Sequence, residues 1–432
     1  MDNRKKIFQF VNKLQTQTSI PLWSIANESV IYACATENPP LFGPKTKFIN
    51  QILKISYHCK MSDIVIFMVG LIKVISLWRQ VKSTKINQYN TVKRIFAGFG
   101  ASSEEFIYND YIHESNDPTL RVNLVTNVGL SELGCPKLWL VILDLMKNSF
   151  GFTAKIKKAP SEISLNAVSF LTVCALNIGV FAFYKHYWRI AKSCNVTEVA
   201  FLALDIPVFA AVEAGINTVY LQHGLMSLCM LFPKVNRIEV LTLEEKNYLR
   251  KCFNNIQIIK LHNNKKIIQD NNPILMVLSL NVFKEERLQT SRPLIQLAAE
   301  HGMKIVLRPT IKANESELKF LHQHFPNAIM DDFTSSLEKS FEKWQPRFVA
   351  AWSSTGLALA LDYNCLPISF YEPHDNEVWD NMIYSMRKRV LFWSRDSDLI
   401  KNAIQSKDVY TSQLDQLCNF NFDESTLLSI CG

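Results

Sequence analysis

The chain has 432 residues, too many for one ordinary core and enough for two α/β domains of roughly 200 residues each. Apolar residues make up 48% and charged residues 20%, which excludes a disordered chain, and the net charge of +8 favours anionic ligands or an anionic membrane surface. Ten scattered cysteines with no CxxC, no Cys/His pair at zinc spacing and no signal peptide ahead of them set the expectation of reduced thiols in a cytoplasmic protein.

Taken in chain order, the first strong feature is the apolar run 64–78, 15 residues interrupted by Lys73. As a helix it would reach about 22 Å against a hydrocarbon core of about 30 Å, too short to span. Residues 94–97 read as a strand that enters Gly98-Phe99-Gly100-Ala101-Ser102-Ser103-Glu104-Glu105, in which Ser102 and Glu105 have the spacing of a helix capping box. A further strand is predicted over 121–125. The run 165–184 is long enough to span, but Asn166, Thr172 and Asn177 punctuate it and Lys185-His186-Tyr187-Trp188-Arg189 follows at once. It reads as a buried domain helix, an interfacial one or a true span, and the aromatic and basic residues beside an apolar face set the expectation of peripheral contact with a membrane.

Beyond it the pattern becomes βαβ: a strand over 199–204, a helix over 206–214 stopped by Gly215, and a strand over 218–222. Connections of this length imply parallel strands with right-handed crossovers. Strand 238–241 and helix 244–252 come next, then an Asn- and Lys-rich loop over 263–272. Strand 274–280, helix 294–301, strand 304–307, helix 315–324, strand 348–351, helix 356–363 and strand 366–371 complete the pattern. The fold class that results is α/β, two Rossmann-like domains facing a cleft. Residues 1–235 form the acceptor-side domain, 236–395 the nucleotide-donor domain, and 396–432 a tail expected to pack back on the first domain.

Two strand ends carry the chemistry. Val219-Tyr220-Leu221-Gln222-His223-Gly224 holds an imidazole at the rim of a sheet, where ligands collect in open α/β folds. Phe348-Val349-Ala350-Ala351-Trp352-Ser353-Ser354-Thr355-Gly356 puts hydroxyls at a strand-to-helix turn, where free N–H groups attract anions. His223 can serve as a base near neutral pH or merely cap its strand. Ser353, Ser354 and Thr355 with Gly356 can hold a phosphate or act as N-caps. Arg308 can neutralise that phosphate or pair with Asp331, Asp332 or Glu372, and Glu372 can grip a ribose or face solvent. Gly98, Gly100, Ser102 and Gln222 are candidates for acceptor binding, and Glu104 and Glu105 are the alternative base.

The order strand-Gln-His-Gly, strand-Arg308-Pro309, strand-Ser353-Ser354-Thr355-Gly356, over residues 195–375, resembles the bacterial surface-polysaccharide glycosyltransferases of GT-B fold. The group includes capsule and lipopolysaccharide transferases, CMP-sialic and Kdo-type transferases and, more distantly, teichoic-acid CDP-glycerol polymerases. Several of them carry a histidine near the Arg-Pro pair, where this chain has Thr310. The resemblance implies an inverting, metal-independent transferase with a CMP-activated acidic sugar as donor, CDP-glycerol and UDP-sugars being the other donors. It further implies a glycan or lipid-linked glycan acceptor at the cytoplasmic membrane face. A sugar-nucleotide epimerase and a non-catalytic assembly subunit are the competing classes. No Walker loop, HExxH, GxSxG or complete GxGxxG is present, nor a DxD whose carboxylates flank an apolar turn, and Asp331-Asp332 is a bare pair. The expectation is therefore no cofactor, no catalytic metal and no nucleic acid partner.

Overall fold

The computed structural model describes residues 44–58, 61–83, 92–100, 104–156, 167–203, 205–222, 234–241, 245–246, 249–250, 256–260, 272–279, 285–310, 313–352, 354, 356–371 and 389–418. They form two six-stranded sheets, each flanked by helices, and every strand pairing is parallel. Sheets of this kind must be buried on both faces, and β1, for example, is buried at all of its positions.

The first sheet contains β1 (Arg94–Gly98), β2 (Thr119–Asn123), β3 (Glu198–Phe201), β4 (Asn217–Leu221), β5 (Arg237–Val240) and β6 (Gln257–Lys260) in the order β2-β1-β3-β4-β5-β6. Its order reverses between β1 and β3. The second contains β7 (Asn272–Leu278), β8 (Lys304–Arg308), β9 (Ile329–Met330), β10 (Pro346–Ala351), β11 (Leu366–Ser369) and β12 (Leu391–Phe392) in the order β12-β11-β10-β7-β8-β9. That is the doubly wound order of a dinucleotide-binding sheet, reversing between β7 and β10. In both, the crevice at the carboxyl ends beside the reversal is where a ligand fits.

Strand pairing corrects the domain boundary. β5 and β6 extend the first sheet, so the boundary lies between Lys260 and Asn272 rather than at 235/236. The tail is corrected as well. Of its helices α12 (Ser397–Gln405) and α13 (Lys407–Cys418), the second packs on the second domain, where the Tyr410 ring meets Phe348 and its hydroxyl donates to the Asn364 carbonyl at 2.6 Å.

The helices of the first half are α1 (Pro44–His58), α2 (Ser62–Ser83), α3 (Glu104–His113), α4 (Leu138–Ser149), α5 (Phe152–Ile156), α6 (Ala167–Ser193) and α7 (Ile206–Ala214). α7 has the predicted bounds: the Asp205 carboxylate caps its first turn, Pro207 fits there without needing a donor, and Gly215 at φ 71° ends it. α6 is the hub against which α1, α2, α4 and α7 pack. Residues 185–189 are therefore not an interfacial patch. Tyr187 and Trp188 are buried, the Trp188 indole donates to the Pro207 carbonyl at 2.9 Å, the Lys185 ammonium reaches Asp144 at 3.5 Å, and only Arg189 is exposed. A long apolar helix satisfied on most sides belongs to a core.

The run read as too short to span lies within α2, which has 22 residues and is, among the described residues, the helix long and apolar enough to cross a membrane. One side of it is seated on α6 by two glycines. A Cβ at Gly179 would stand 2.2 Å from the Gly70 carbonyl oxygen, so this close crossing needs glycine.

Candidate active site at two sheet rims

At the reversal of the first sheet a cavity of about 420 Å³ opens over the carboxyl ends of its strands. Phe99 beyond β1, Leu124 and Val125 beyond β2, and Ala203 and Asp205 beyond β3 form its base. α2 contributes Lys73, Ser76, Leu77 and Gln80, and α6 contributes Asn177, Val180 and Tyr184. Asn127 adopts the left-handed conformation at φ 58°. Its amide donates to Gln80 Oε1 at 2.6 Å and accepts the Tyr184 hydroxyl at 3.1 Å, which fixes three polar groups in the wall. Amides, hydroxyls, one cation, one carboxylate and an aromatic face suit a hydroxyl-rich ligand.

Asp205 is the acid of this cavity. Its Oδ1 accepts the Ile206 N–H at 2.7 Å. Burial of the carboxyl among the wall atoms raises its pKa above the usual aspartate value, against the lowering effect of that N–H. Its charge also adds to burial in raising the Tyr184 hydroxyl. A carboxylate with raised pKa at a topological switch point is a stronger proton acceptor than an ordinary aspartate.

Other candidates fall beside this cavity with different work. Glu104 is buried, and its Oε2 accepts the N–H groups of Phe99 at 3.0 Å and Gly100 at 2.6 Å. Arg121 bonds Glu104 Oε1 at 3.1 Å and Glu105 Oε2 at 2.6 Å. The carboxylate thus clamps the turn after β1 and shapes the cavity edge through Phe99. Gly98 has no room for a side chain, since a Cβ would lie 2.1 Å from Glu104 Oε1, and Gly100 takes φ 84° to complete the turn. Both glycines serve the clamp. Gln222 is fully buried, donating to Glu245 Oε1 at 2.8 Å and accepting the Leu241 N–H at 2.7 Å, so it ties the end of β4 to the segment after β5 instead of facing an acceptor. His223 and Ser102 lie outside the described residues.

On the second sheet, β7 and β10 flank the reversal, and α11 (Gly356–Asp362) starts just beyond β10. A Cβ on Gly356 would come within 2.5 Å of the Leu278 side chain, so glycine lets α11 begin against the end of β7. The Ser354 hydroxyl accepts the Gly356 N–H at 3.1 Å, a cap on the helix start. Ser353, Thr355 and Glu372 lie outside the described residues.

Arg308, proposed on sequence for the donor phosphate, takes the other course open to it. Its guanidinium is buried and bonds Asp331 Oδ2 at 2.7 Å, the Asp332 carbonyl at 3.0 Å, the Ser335 carbonyl at 2.5 Å and the Ser340 hydroxyl. The Trp344 indole holds the other oxygen of Asp331 at 2.6 Å. Arg308 therefore locks β8 to the segment preceding α10 (Leu337–Trp344). Among the described residues no group of three or more His, Cys, Asp or Glu side chains is disposed to hold a metal ion.

Sequence reasoning missed Asp205, Gln80, Asn127 and Tyr184. The available signal was an acid directly after a buried strand and before Ile206-Pro207, which reads as an ordinary helix cap until the strand order puts it at the reversal.

No protein-family model matches the chain, and no curated protein sequence matches it. Solved structures are similar over most of its length. MurG of Acinetobacter baumannii aligns with 76% of this chain and 94% of its own at 8% identity and a TM-score of 0.44. The MnaA–UDP complex of S. aureus aligns with 78% and 94% at 11% identity and a TM-score of 0.42. The wall teichoic acid polymerase TagF aligns with 90% and 95% at 11% identity and a TM-score of 0.40. At these identities the activity has to be read from the chain's own residues.

Proposed function

We propose that this chain is an inverting, metal-independent glycosyltransferase of GT-B type. It takes a nucleotide-activated sugar at the rim of the second sheet and passes it to a glycan acceptor held in the cavity of the first. The observation that carries the reading is the polar cavity at the β1/β3 reversal with a carboxyl of raised pKa in its wall. An acceptor hydroxyl there would attack the anomeric carbon as its bond to the donor phosphate breaks. The phosphate leaves with the electron pair, and Asp205 takes the hydroxyl proton. The order of strand-end motifs supports bacterial surface-polysaccharide synthesis at the cytoplasmic membrane face and a CMP-activated acidic sugar as donor. CDP-glycerol and UDP-sugars are the alternative donors.

The test is nucleotide release with and without acceptor, after a thermal-shift panel of CMP, CDP, UDP, GDP and TDP has picked the base. A transferase requires the acceptor, whereas turnover of a nucleotide sugar alone would make the protein an epimerase, and neither activity would make it an assembly subunit. Asp205→Asn should keep nucleotide binding and lose roughly 10²–10⁴-fold in kcat. In the wild type, activity should fall as acidification protonates Asp205, and the raised pKa moves that limb towards neutrality. A second reading gives the proton to His223, which directly follows Gln222 at the end of the adjacent strand β4. It requires that His223→Ala lose activity while Asp205→Asn keeps it.

A further inference from the structure

Among the described residues, an unexplained feature is an apolar surface on the helices that cover the first sheet. Every large apolar residue exposed among the described residues lies on or at the ends of α1, α2 and α4, except Val125, Val128 and Ile329. α1 shows Phe48 and Ile55, α2 shows Met68 and Ile72, and α4 shows Trp139 and Leu143, with side chains between 49% and 69% exposed. Each helix repeats such residues at three- and four-residue spacing, so each carries a second apolar stripe besides the one packed on α6.

The stripes lie side by side. α2 and α4 run antiparallel: Asp63 at the start of α2 accepts the Gly151 N–H at 2.7 Å beyond the end of α4, and Trp78 near the end of α2 donates to the Pro136 carbonyl at 3.0 Å before its start. Phe67 stacks on Phe150 between them at 5.9 Å. α1 packs on both α2 and α6. Soluble monomers rarely leave contiguous apolar surface of this kind uncovered.

Charge identifies what covers it. Apart from Lys73 in the cavity, the three helices and their ends expose Lys47, Lys54, Arg79, Lys82, Lys137 and Lys147. Their acids are two: Asp63, bound to the Gly151 and Thr153 N–H groups, and Asp144, which faces Lys185 and His186. Apolar stripes fringed only by cations complement an anionic lipid surface, where hydrocarbon takes the side chains and headgroups meet the lysines. A flat hydrophobic partner protein would account for the stripes but not for this one-signed fringe.

We propose that the α1/α2/α4 face docks the protein on an anionic bilayer, as a surface contact and not a span. This locates the membrane contact of the reading above and gives it a purpose, since α2 turns Met68 and Ile72 outward and sends Lys73, Ser76 and Gln80 into the acceptor cavity. An acceptor anchored in the bilayer would then reach the cavity along α2. The docking itself does not depend on the transferase reading.

Flotation of the full chain, without donor or acceptor, on phosphatidylcholine vesicles with and without phosphatidylglycerol tests the proposal. Binding should need the anionic lipid and weaken at least tenfold between 0.05 and 0.5 M salt, as screening predicts. Ile55→Glu, Met68→Glu, Leu143→Glu in combination should lower it at least tenfold with an unchanged melting temperature, whereas Arg189→Glu should leave it intact. Oxidative footprinting should find Met68 and Trp139 reactive in the free protein and protected by vesicles. No flotation, flotation indifferent to the triple change, a dimer in sedimentation that the triple change dissolves, or protection of Met68 before lipid is added would each overturn it. Loss of transferase activity with flotation retained would refute the enzymatic reading alone.

Discussion

Removing the Glu104 carboxylate should unfold the turn after β1 before it affects any chemistry. Glu104→Ala deletes the acceptor for the Phe99 and Gly100 N–H groups and one of the two carboxylates on Arg121. A fully buried N–H that loses its acceptor costs about 1–3 kcal/mol, but Phe99 is half-buried and Gly100 exposed, so water replaces part of what each loses. Arg121 keeps Glu105 at 2.6 Å and is 37% exposed, so it adds little. We expect about 1–3 kcal/mol in total. At about 2–4 °C per kcal/mol for a domain of this size, the first-domain transition should fall by roughly 2–12 °C in scanning calorimetry. Glu105→Ala removes an exposed partner and should cost under about 1 kcal/mol. Gly98→Ala should imitate the Glu104 loss, because its Cβ would occupy the position of Glu104 Oε1. A Glu104→Ala protein that melts with the wild type yet turns over no substrate would refute the clamp and return Glu104 to the chemistry.

Arg308→Ala leaves buried Asp331 with only the exposed Lys343 at 3.9 Å as a cation and should cost about 3–5 kcal/mol, seen only in the second-domain transition, with nucleotide affinity of the folded protein unchanged. Weaker nucleotide binding at full stability would show that Arg308 does meet the donor. Burial, and then Glu114, push Glu239 up from 4.5 to about 7 against the pull of Arg237. The folded chain therefore holds a proton there that the unfolded chain has lost, so this stabilisation is full below about pH 4.5 and disappears as pH rises through 7. Urea titrations should show Glu239→Gln gaining on the wild type between pH 5 and 8 by up to about 3 kcal/mol, and a constant difference would exclude the shift. Gly179→Ala drives a methyl into the Gly70 carbonyl, a backbone atom that cannot step aside, and should destabilise the first domain by at least about 1–3 kcal/mol in the same calorimetry.

What the sequence determined by itself was decided over short range, although the locally capped helix Leu337–Trp344 went unread. The helix Ile206–Ala214 was legible to its ends because an acid cap, a proline and a glycine with positive φ stand at the positions where helix geometry needs them. The helix Glu315–His324 was legible for the same reason, with Asn314 and Glu317 forming a reciprocal cap. Most buried parallel strands were legible as continuous apolar runs. β6 and the short β9 and β12 were not, because they take their structure from the neighbouring strand and not from their own residues.

Only the tertiary structure decided what each side chain at a strand end is for. Glu104, Gln222 and Arg308 look like site residues by type and place, and all three are spent on internal bonds whose partners lie as far as 32 residues away. Asp205 looks like a cap and stands in a cavity wall, because the strand order reverses beside it. The two long apolar helices exchange the roles their compositions imply. α6, which carries the aromatic and basic run, is enclosed by its neighbours, and α2, which looked too short, keeps an apolar flank outside. Composition fixes how much apolar surface a helix has, and only packing fixes which side of it meets protein.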